Sequence, residues 1–393
     1  MLCQIISWII SIYSFKSPQI LAHSTALIDK KLYFIGGYNS KTDRTPFFYL
    51  DLNQSFYISS PAYVNLEAPP VNIIWATACV GGANNTTIFI FGGISWYRKS
   101  ASYIMDKLIN TFDATSREWS APPIEREPIR RRGLQAVIDN KGNMYMFGGY
   151  YEFDNYTEYF KDMIIFNTIT FTYSIGSTIN RPPSVAGYTA TLLPNGIIVY
   201  IGGKVWNGIV SIKNITMYDI KEDSWNYTIA RFPKDIEDRS YHSAVLTPDG
   251  RIICFGGISI FHITVSPSLI VLNTTSFEWS YPEHFGMKPP KLHSHSATLV
   301  ENHMIIGFGN VTTERTSSRI YMLDIRNYTW NSYYEASLPL LLSKTDQLNP
   351  PLLVGAIVGI TISVTSILGL LLFFGIRNYR RASLSYTSGG IEF

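Results

Sequence analysis

The sequence predicts an all-β fold, a β-propeller of about six four-stranded blades, followed by one C-terminal transmembrane helix. Three observations predict it: an internal repeat of steady period, an aromatic-rich and charge-poor composition, and one long uncharged segment near the end. The repeat carries most weight. Apolar runs ending in paired glycines recur as LYFIGG (Gly36, Gly37), IFIFGG (Gly92, Gly93), MYMFGG (Gly148, Gly149), IVYIGG (Gly202, Gly203) and IICFGG (Gly256, Gly257). A sixth copy reads IIGFGN, with Gly309-Asn310 where the others have the pair. The first glycines are then spaced by 56, 56, 54, 54 and 53 residues. A unit of about 50 residues is the length of one propeller blade.

Each unit supplies four strand signals. The first is an apolar run opening HSTALI at His23, WATACV at Trp75, LQAVID at Leu134, YTATLL at Tyr188, HSAVLT at His242 and HSATLV at His295. Tight turns such as Pro194-Asn195-Gly196 and Pro248-Asp249-Gly250 join that run to the glycine strand, which is hairpin chemistry. A third strand ends at Leu52, Asp113, Asn167, Asp219, Asn273 and Asp324. A fourth is expected around Phe56, Trp119, Tyr173, Trp225, Trp279 and Trp330, large aromatics suited to the layer between blades. A four-stranded sheet cannot bury both faces alone, so neighbouring blades must cover each other.

Composition agrees. Aromatic residues make up 14% and charged residues 16% of 393, with 28 glycines and 20 prolines, which suits many short strands rather than disorder or long amphipathic helices. The net charge is +3, and the tail beyond residue 376 holds Arg377, Arg380 and Arg381 against Glu392, or +2 of it. The remainder is near neutral, so no nucleic-acid partner is expected. The Arg130-Arg131-Arg132 run reads as solvated loop charge. Three cysteines make no disulfide framework; Cys3 lies in the N-terminal apolar segment, and Cys79 and Cys254 read as small buried thiols.

Leu352–Ile376 contains 25 residues without a charge, enough to cross a bilayer with some tilt. The arginines that follow place the C terminus in the cytosol by the positive-inside rule. The expected organisation is therefore a candidate signal peptide (1–17), a propeller ectodomain (18–334), a juxtamembrane stalk (335–351), a single span (352–376) and a cytoplasmic tail (377–393), a type I arrangement. Met1–Phe15 has the apolar length of a signal core but no basic residues before it and no small-x-small cleavage site after it. Within the span, Gly355 and Gly359 form a small-xxx-small pair, and Arg380-Arg381-Ala382-Ser383 reads as stop-transfer charge. Nine Asn-x-Ser/Thr acceptors stand before the span, at Asn53, Asn84, Asn85, Asn155, Asn214, Asn226, Asn273, Asn310 and Asn327, where composition alone would give roughly four. They favour a lumenal or extracellular propeller.

The combination of HS-φ-φ, φ-φ-φ-φ-Gly-Gly, φ-Tyr-x-Asp and a downstream Trp over His23–Tyr334 is similar to the kelch repeat. The layout, with LIDKKLYFIGGY and FFYLDLNQSF, also resembles fungal single-pass kelch proteins of the galactose oxidase or attractin-like propeller group. The first reading is a non-enzymatic binding ectodomain, with a protein or carbohydrate partner docking on propeller loops, no cofactor and no catalytic or metal residues. The aromatic segments Gly149–Lys161 and Ser95–Lys107 are the candidate loops. An alternative is a galactose-oxidase-like copper oxidoreductase, because Tyr241-His242 looks like that family's Tyr-His ligand pair; repeat position alone explains His242, which matches His23 and His295. His293-Ser294-His295 is the one close histidine pair and lacks acidic or cysteine partners nearby. Another alternative is a cytosolic kelch scaffold anchored by its tail, opposed by the acceptors and the tail arginines.

Overall fold

Each repeat folds as four antiparallel strands built from consecutive chain, giving six blades, and the sixth sheet gains a short parallel edge strand, Phe285–Gly286. The computed structural model describes residues 17–39, 45–96, 107–153, 156–232, 236–312 and 315–337. Blade 1 consists of Ser24–Ile28, Lys31–Ile35, Phe47–Asp51 and Tyr63–Asn65, in that spatial order. Blades 2 to 5 repeat the pattern, with inner strands Asn72–Gly81, Val137–Ile138, Thr189–Leu192 and Ser243–Leu246. Blade 6 runs from Ser296–Val300 through His303–Gly307 and Ile320–Asp324 to Thr329–Asn331. Antiparallel order puts the short turns on one face of the ring, here the turn face. The long connections after the glycines, and the links between blades, lie on the opposite loop face.

The turns explain the repeated residues. In blades 3, 4 and 5 the inner hairpin closes through Gly142, Gly196 and Gly250, whose N–H groups donate to the carbonyls of Asp139, Leu193 and Thr247. Gly196 has φ +92°, the left-handed conformation that such a loop requires. The acidic or amide residue ending each third strand has a job as well. Asp51, Asp113, Asn167, Asp219, Asn273 and Asp324 each accept, through Oδ1, a backbone N–H two residues on, so the side chain shapes the next turn.

Between blades lie apolar layers, one per seam or shared over two. Phe34, Phe48, Met322 and Phe308 fill the seam of blades 6 and 1, and Ile201, Ile252, Leu272 and Trp279 that of blades 4 and 5. Three of the four fourth-strand tryptophans also tie down connecting segments. Trp225 Nε1 donates to Ser177 O at 3.0 Å, Trp279 Nε1 to Ile212 O at 3.1 Å and Trp330 Nε1 to His284 Nδ1 at 2.9 Å.

Two repeat assignments are corrected. In blade 6 the partner of the first glycine is Phe308, and Gly309 occupies the second position: its N–H donates to Ile20 O, as Gly37 donates to Ile73 O. Phe308 adopts φ +57° and is fully buried at the ring-closing seam, against His23, Phe34, Phe48 and Tyr63. Blade 1's fourth-strand aromatic is Tyr63, paired with Leu50 as Trp119 pairs with Phe112. Phe56 belongs instead to a clasp in which Phe56-Tyr57 pairs with Tyr334-Tyr333 and closes the ring.

The chain divides into a unit Met1–Ala336 and a unit Ser337–Phe393. No helix among the described residues is long and apolar enough to cross a membrane. The expected span 352–376 and tail, and most of the stalk and of the candidate signal segment, lie outside the described residues.

Candidate functional site at the loop-face mouth of the axis

The inner strands surround an axial cavity of about 190 Å³ lined by the serines, threonines and histidines that open each repeat. Their polar groups are largely spent on the seams. His23 Nε2 lies 2.8 Å from Ser296 Oγ, His295 Nε2 lies 2.8 Å from Ser243 Oγ, and His242 Nε2 lies 3.1 Å from Thr189 Oγ1. Ala190 N donates to Gln135 Oε1, Ala136 N to Thr77 Oγ1, and Ser24 Oγ to Ala76 O. Every one of the six seams thus carries an inner-strand hydrogen bond. Burial holds the His23 and His295 imidazoles at about 3 and His242 well below the usual range, so all three are neutral at physiological pH.

This answers the copper reading at its residues. Tyr241 and His242 both line the cavity, but His242 Nε2 is engaged by Thr189 Oγ1 in the seam of blades 4 and 5, while the Tyr241 ring meets Trp75 at the mouth. Ser294, at φ +54°, breaks the alternation that would set His293 and His295 on one strand face. Among the described residues no three His, Cys, Asp or Glu gather to hold a metal.

Above the cavity each blade has one residue of positive φ close to or, for Trp75, within its inner strand: Ala22, Trp75, Gly133, Gly187, Tyr241 and Ser294. Their backbones bond around the axis. Ala22 N donates to Ser294 O, Ser294 N to Tyr241 O, Tyr241 N to Gly187 O, Gly187 N to Gly133 O, and Trp75 N to Ala22 O. Two members carry large side chains, Trp75 on blade 2 and Tyr241 on the diametrically opposite blade 5. Their rings meet edge to face across the axis with centroids 5.1 Å apart. The mouth is plugged.

An aromatic and cationic cluster continues outward from this plug. Tyr241 is hydrogen-bonded to Tyr150, and burial, then Tyr150, raise its phenol well above the usual range. Lys204 Nζ sits 5.0 Å from the Tyr150 ring centroid and 5.5 Å from that of Tyr241. Arg132 lies over Tyr150 at 4.8 Å and pairs with Glu152. Tyr150 stacks on Tyr159 at 5.3 Å, and Tyr159 meets Trp206 edge-on at 5.9 Å, leaving the Trp206 side chain 73% exposed. On the loop face of the neighbouring blade 5, the turn Ser259–Ile263 is braced by its own hydrogen bonds and presents Phe261 at 79% exposure. Trp206 and Phe261 are the most exposed aromatic side chains of the described loop face.

Of the two candidate loops, Gly149–Lys161 forms the hairpin Tyr150–Phe153 with Tyr156–Tyr159 and contributes directly to this cluster. Residues 97–106 of the other lie outside the described residues. Trp75, Lys204, Trp206 and Phe261 were not singled out by sequence; no local pattern says that blades 2 and 5 meet on the axis. The arginine run is corrected too. Arg131 is 3% exposed, paired with Asp162 at 2.6 Å and lying over Phe160 at 3.9 Å, and Arg130 Nη1 donates to Gly92 O. Arg239, fully buried, repeats the position and donates to the carbonyls of Glu237, Gly256 and Pro267. Cys79 and Cys254 are buried free thiols, pushed by burial up to about 12.

Of the nine acceptors, Asn155 lies outside the described residues. Asn53, Asn84, Asn85, Asn214, Asn226, Asn273 and Asn327 are exposed, and Asn310 is buried at 8% exposure.

Six contiguous four-stranded blades, each with a glycine-terminated second strand and an aromatic on the fourth, define a kelch-type β-propeller. Residues 22–257 and 228–337 match the KLHDC2/KLHL20/DRC7 Kelch-repeats domain, and the chain belongs to that family. Among its relatives, putative protein tag-53 of Caenorhabditis elegans is 25% identical over 255 residues, 59% of this chain and 18% of that protein. Acyl-CoA-binding domain-containing protein 4 of Arabidopsis thaliana is 25% identical over 169 residues, 42% of this chain and 24% of that protein. This chain therefore spans less than a quarter of either. Kelch domain-containing protein 3 of Rattus norvegicus is 24% identical over 316 residues, covering 75% of this chain and 78% of the relative. The structure of YjhT aligns with a TM-score of 0.61 at 13% identity over 80% of this chain and 97% of that one, which shows the shared fold.

Proposed function

We propose that this chain is a non-enzymatic kelch scaffold that binds a protein partner through the loop face, and that it is displayed from a membrane as a type I protein. The observation that carries the binding site is the braced aromatic surface of Tyr159, Trp206 and Phe261 beside a plugged axis. Such surfaces supply the aromatic anchors on which interfaces concentrate their energy. The likeness to fungal single-pass kelch proteins, the segment 352–376 and the acceptor asparagines support the membrane-anchored, extracellular or lumenal part of the reading. Carbohydrate is the other ligand class the exposed aromatics suit.

Proximity labelling with full-length protein tests the site. Proteins labelled beside wild type should be lost in a Trp206→Ala, Phe261→Ala double variant and kept in Lys221→Ala on the turn face. An unchanged set in the double variant overturns the loop-face site. A second reading, a cytosolic scaffold anchored by its tail, is favoured by the two free cysteines, which suit a reducing compartment. N-glycan removal decides between them: a downward gel shift fits the lumenal propeller, and no shift fits the cytosolic one.

A further inference from the structure

The acceptor asparagines are not equivalent once placed on the propeller, and the difference assigns glycans to particular positions. Asn273 and Asn327 sit in turn-face turns, at the end of the third strand of blade 5 and in the turn after that of blade 6. Each uses its side-chain carbonyl locally. Asn273 Oδ1 accepts from Thr275 N at 2.9 Å and Ser276 N at 3.0 Å, and Asn327 Oδ1 accepts from Thr329 N at 3.0 Å. In both, the bond runs to the N–H of the hydroxyl residue of the acceptor triplet. An Asx turn of this kind engages the carbonyl and not the amide nitrogen, the atom that takes the sugar, and both asparagines are exposed.

Asn310 is the opposite case, although it lies in the same blade as Asn327. Its backbone exchanges both hydrogen bonds with His293, N to O at 2.8 Å and O to N at 3.0 Å. Its Oδ1 faces Thr316 Oγ1 at 3.4 Å, and it follows Gly309, which donates to Ile20 O at the ring-closing seam. A sugar on a residue 8% exposed has no room without opening that seam.

The remaining exposed acceptors fall into a pattern. Asn53 lies on the turn face of blade 1, where its Nδ2 also donates to Asp51 Oδ1 at 3.1 Å. Asn84 and Asn85 are adjacent in the turn-face hairpin of blade 2, between Asn72–Gly81 and Thr87–Trp96, where two neighbouring sugars would collide. Asn226 lies on the outer strand of blade 4, and Asn214 at the loop-face end of its third strand. The turn face of blades 3 and 4, around Asp139–Gly142 and Pro194–Gly196, has no acceptor among the described residues.

We propose that the N-glycans are unevenly spread over the turn face: glycans at Asn273 and Asn327, at Asn53 and at one of Asn84 and Asn85 cover the turn face of blades 1, 2, 5 and 6. Asn310 stays bare, and so does the turn face of blades 3 and 4. The proposal rests on the lumenal reading above. Peptide mass spectrometry after enzymatic deglycosylation in heavy-oxygen water, on the full chain from a eukaryotic secretory host, measures occupancy site by site. High occupancy at Asn273 and Asn327 with less than a tenth of that at Asn310, and one sugar shared by Asn84 and Asn85, is the expected result. Substantial sugar at Asn310, or glycans elsewhere with Asn273 and Asn327 empty, overturns the map while leaving the lumenal reading intact. No sugar at any site removes both. An Asn310→Gln variant should run with wild-type mobility, and Asn327→Gln should lose one glycan's worth.

Discussion

At the level of single residues, the axis shows why a kelch histidine is more often mortar than ligand. His23, His242 and His295 face neighbouring blades, and their burial depresses the folded pKa below the unfolded value near 6.5. The unfolded chain therefore binds more protons than the folded one below pH 6.5. Stability is fully present above that pH and falls as pH drops towards the folded values. His284, His293 and His303 are lowered as well and act with the same sign. Each fully buried histidine should contribute a slope of up to about 1.4 kcal/mol per pH unit. Urea unfolding between pH 7 and 4.5, above the range of the carboxylates, should show this slope, and His242→Gln should reduce it; a flat profile would remove the neutral-seam account. Glycines divide similarly by surroundings. Gly256 and Gly250 both have positive φ, but a Cβ at Gly256 runs into the Leu292 carbonyl of blade 6, whereas at Gly250 the nearest atom is Thr274 Oγ1 at 3.4 Å. Gly250→Ala should cost about 1–2 kcal/mol of conformational strain. Gly256→Ala should cost at least about 3 kcal/mol, because backbone must move as well. Equal urea midpoints for the two would contradict the close-approach argument.

Among elements, the blades were legible because each is a local unit whose turns, glycines and aromatics recur at fixed spacing. The exceptions cluster where the ring closes. Blade 6 offers Gly307-Phe308-Gly309-Asn310, and a glycine-pair pattern slips by one there; hydrogen bonding to Ile20, nearly three hundred residues away in sequence, sets the true register. Phe56 was drawn into the fourth-strand series for the same reason. Its partner is Tyr334, stacked at 5.1 Å, and no local pattern shows a contact over that sequence distance. The buried arginines were misread because a charge run gives no sign of the carbonyls that receive it. This clasp is a measurable element. Tyr334 is fully buried and Ala336 N donates to Ser55 Oγ at 3.0 Å, so the last residues of the propeller hold blade 1 to blade 6. Tyr334→Ala should cost about 3–5 kcal/mol, in line with other buried aromatic truncations. Hydrogen exchange should then accelerate first in Ser24–Ile28 and Ser296–Val300, with Ile197–Ile201 on the far side of the ring little changed. Uniform acceleration in all blades would mean that the ring opens everywhere at once and that the clasp is no special closure.

For the molecule as a whole, the propeller presents two different faces. The loop face carries the plugged axis and the exposed Trp206 and Phe261, while the chain leaves the propeller on the turn face, at Ala336 beside Ser55. Sequence supplied the period, the blade count and the strand order. It did not supply the axial meeting of Trp75 and Tyr241, which depends on six blades closing so that the second and fifth stand opposite. The arrangement we propose makes a definite prediction in sealed microsomes containing full-length protein with a C-terminal tag. Protease added outside should remove the tag and the Arg377–Phe393 tail and leave a membrane-bound fragment. That fragment should become sensitive to N-glycan removal once detergent admits the enzyme. The proposed orientation rests on Arg377, Arg380 and Arg381, which follow the uncharged segment 352–376. A cytosolic propeller would give the reverse: cleavage in the 335–351 stalk, release of a propeller-sized soluble fragment, and no change in mobility on deglycosylation.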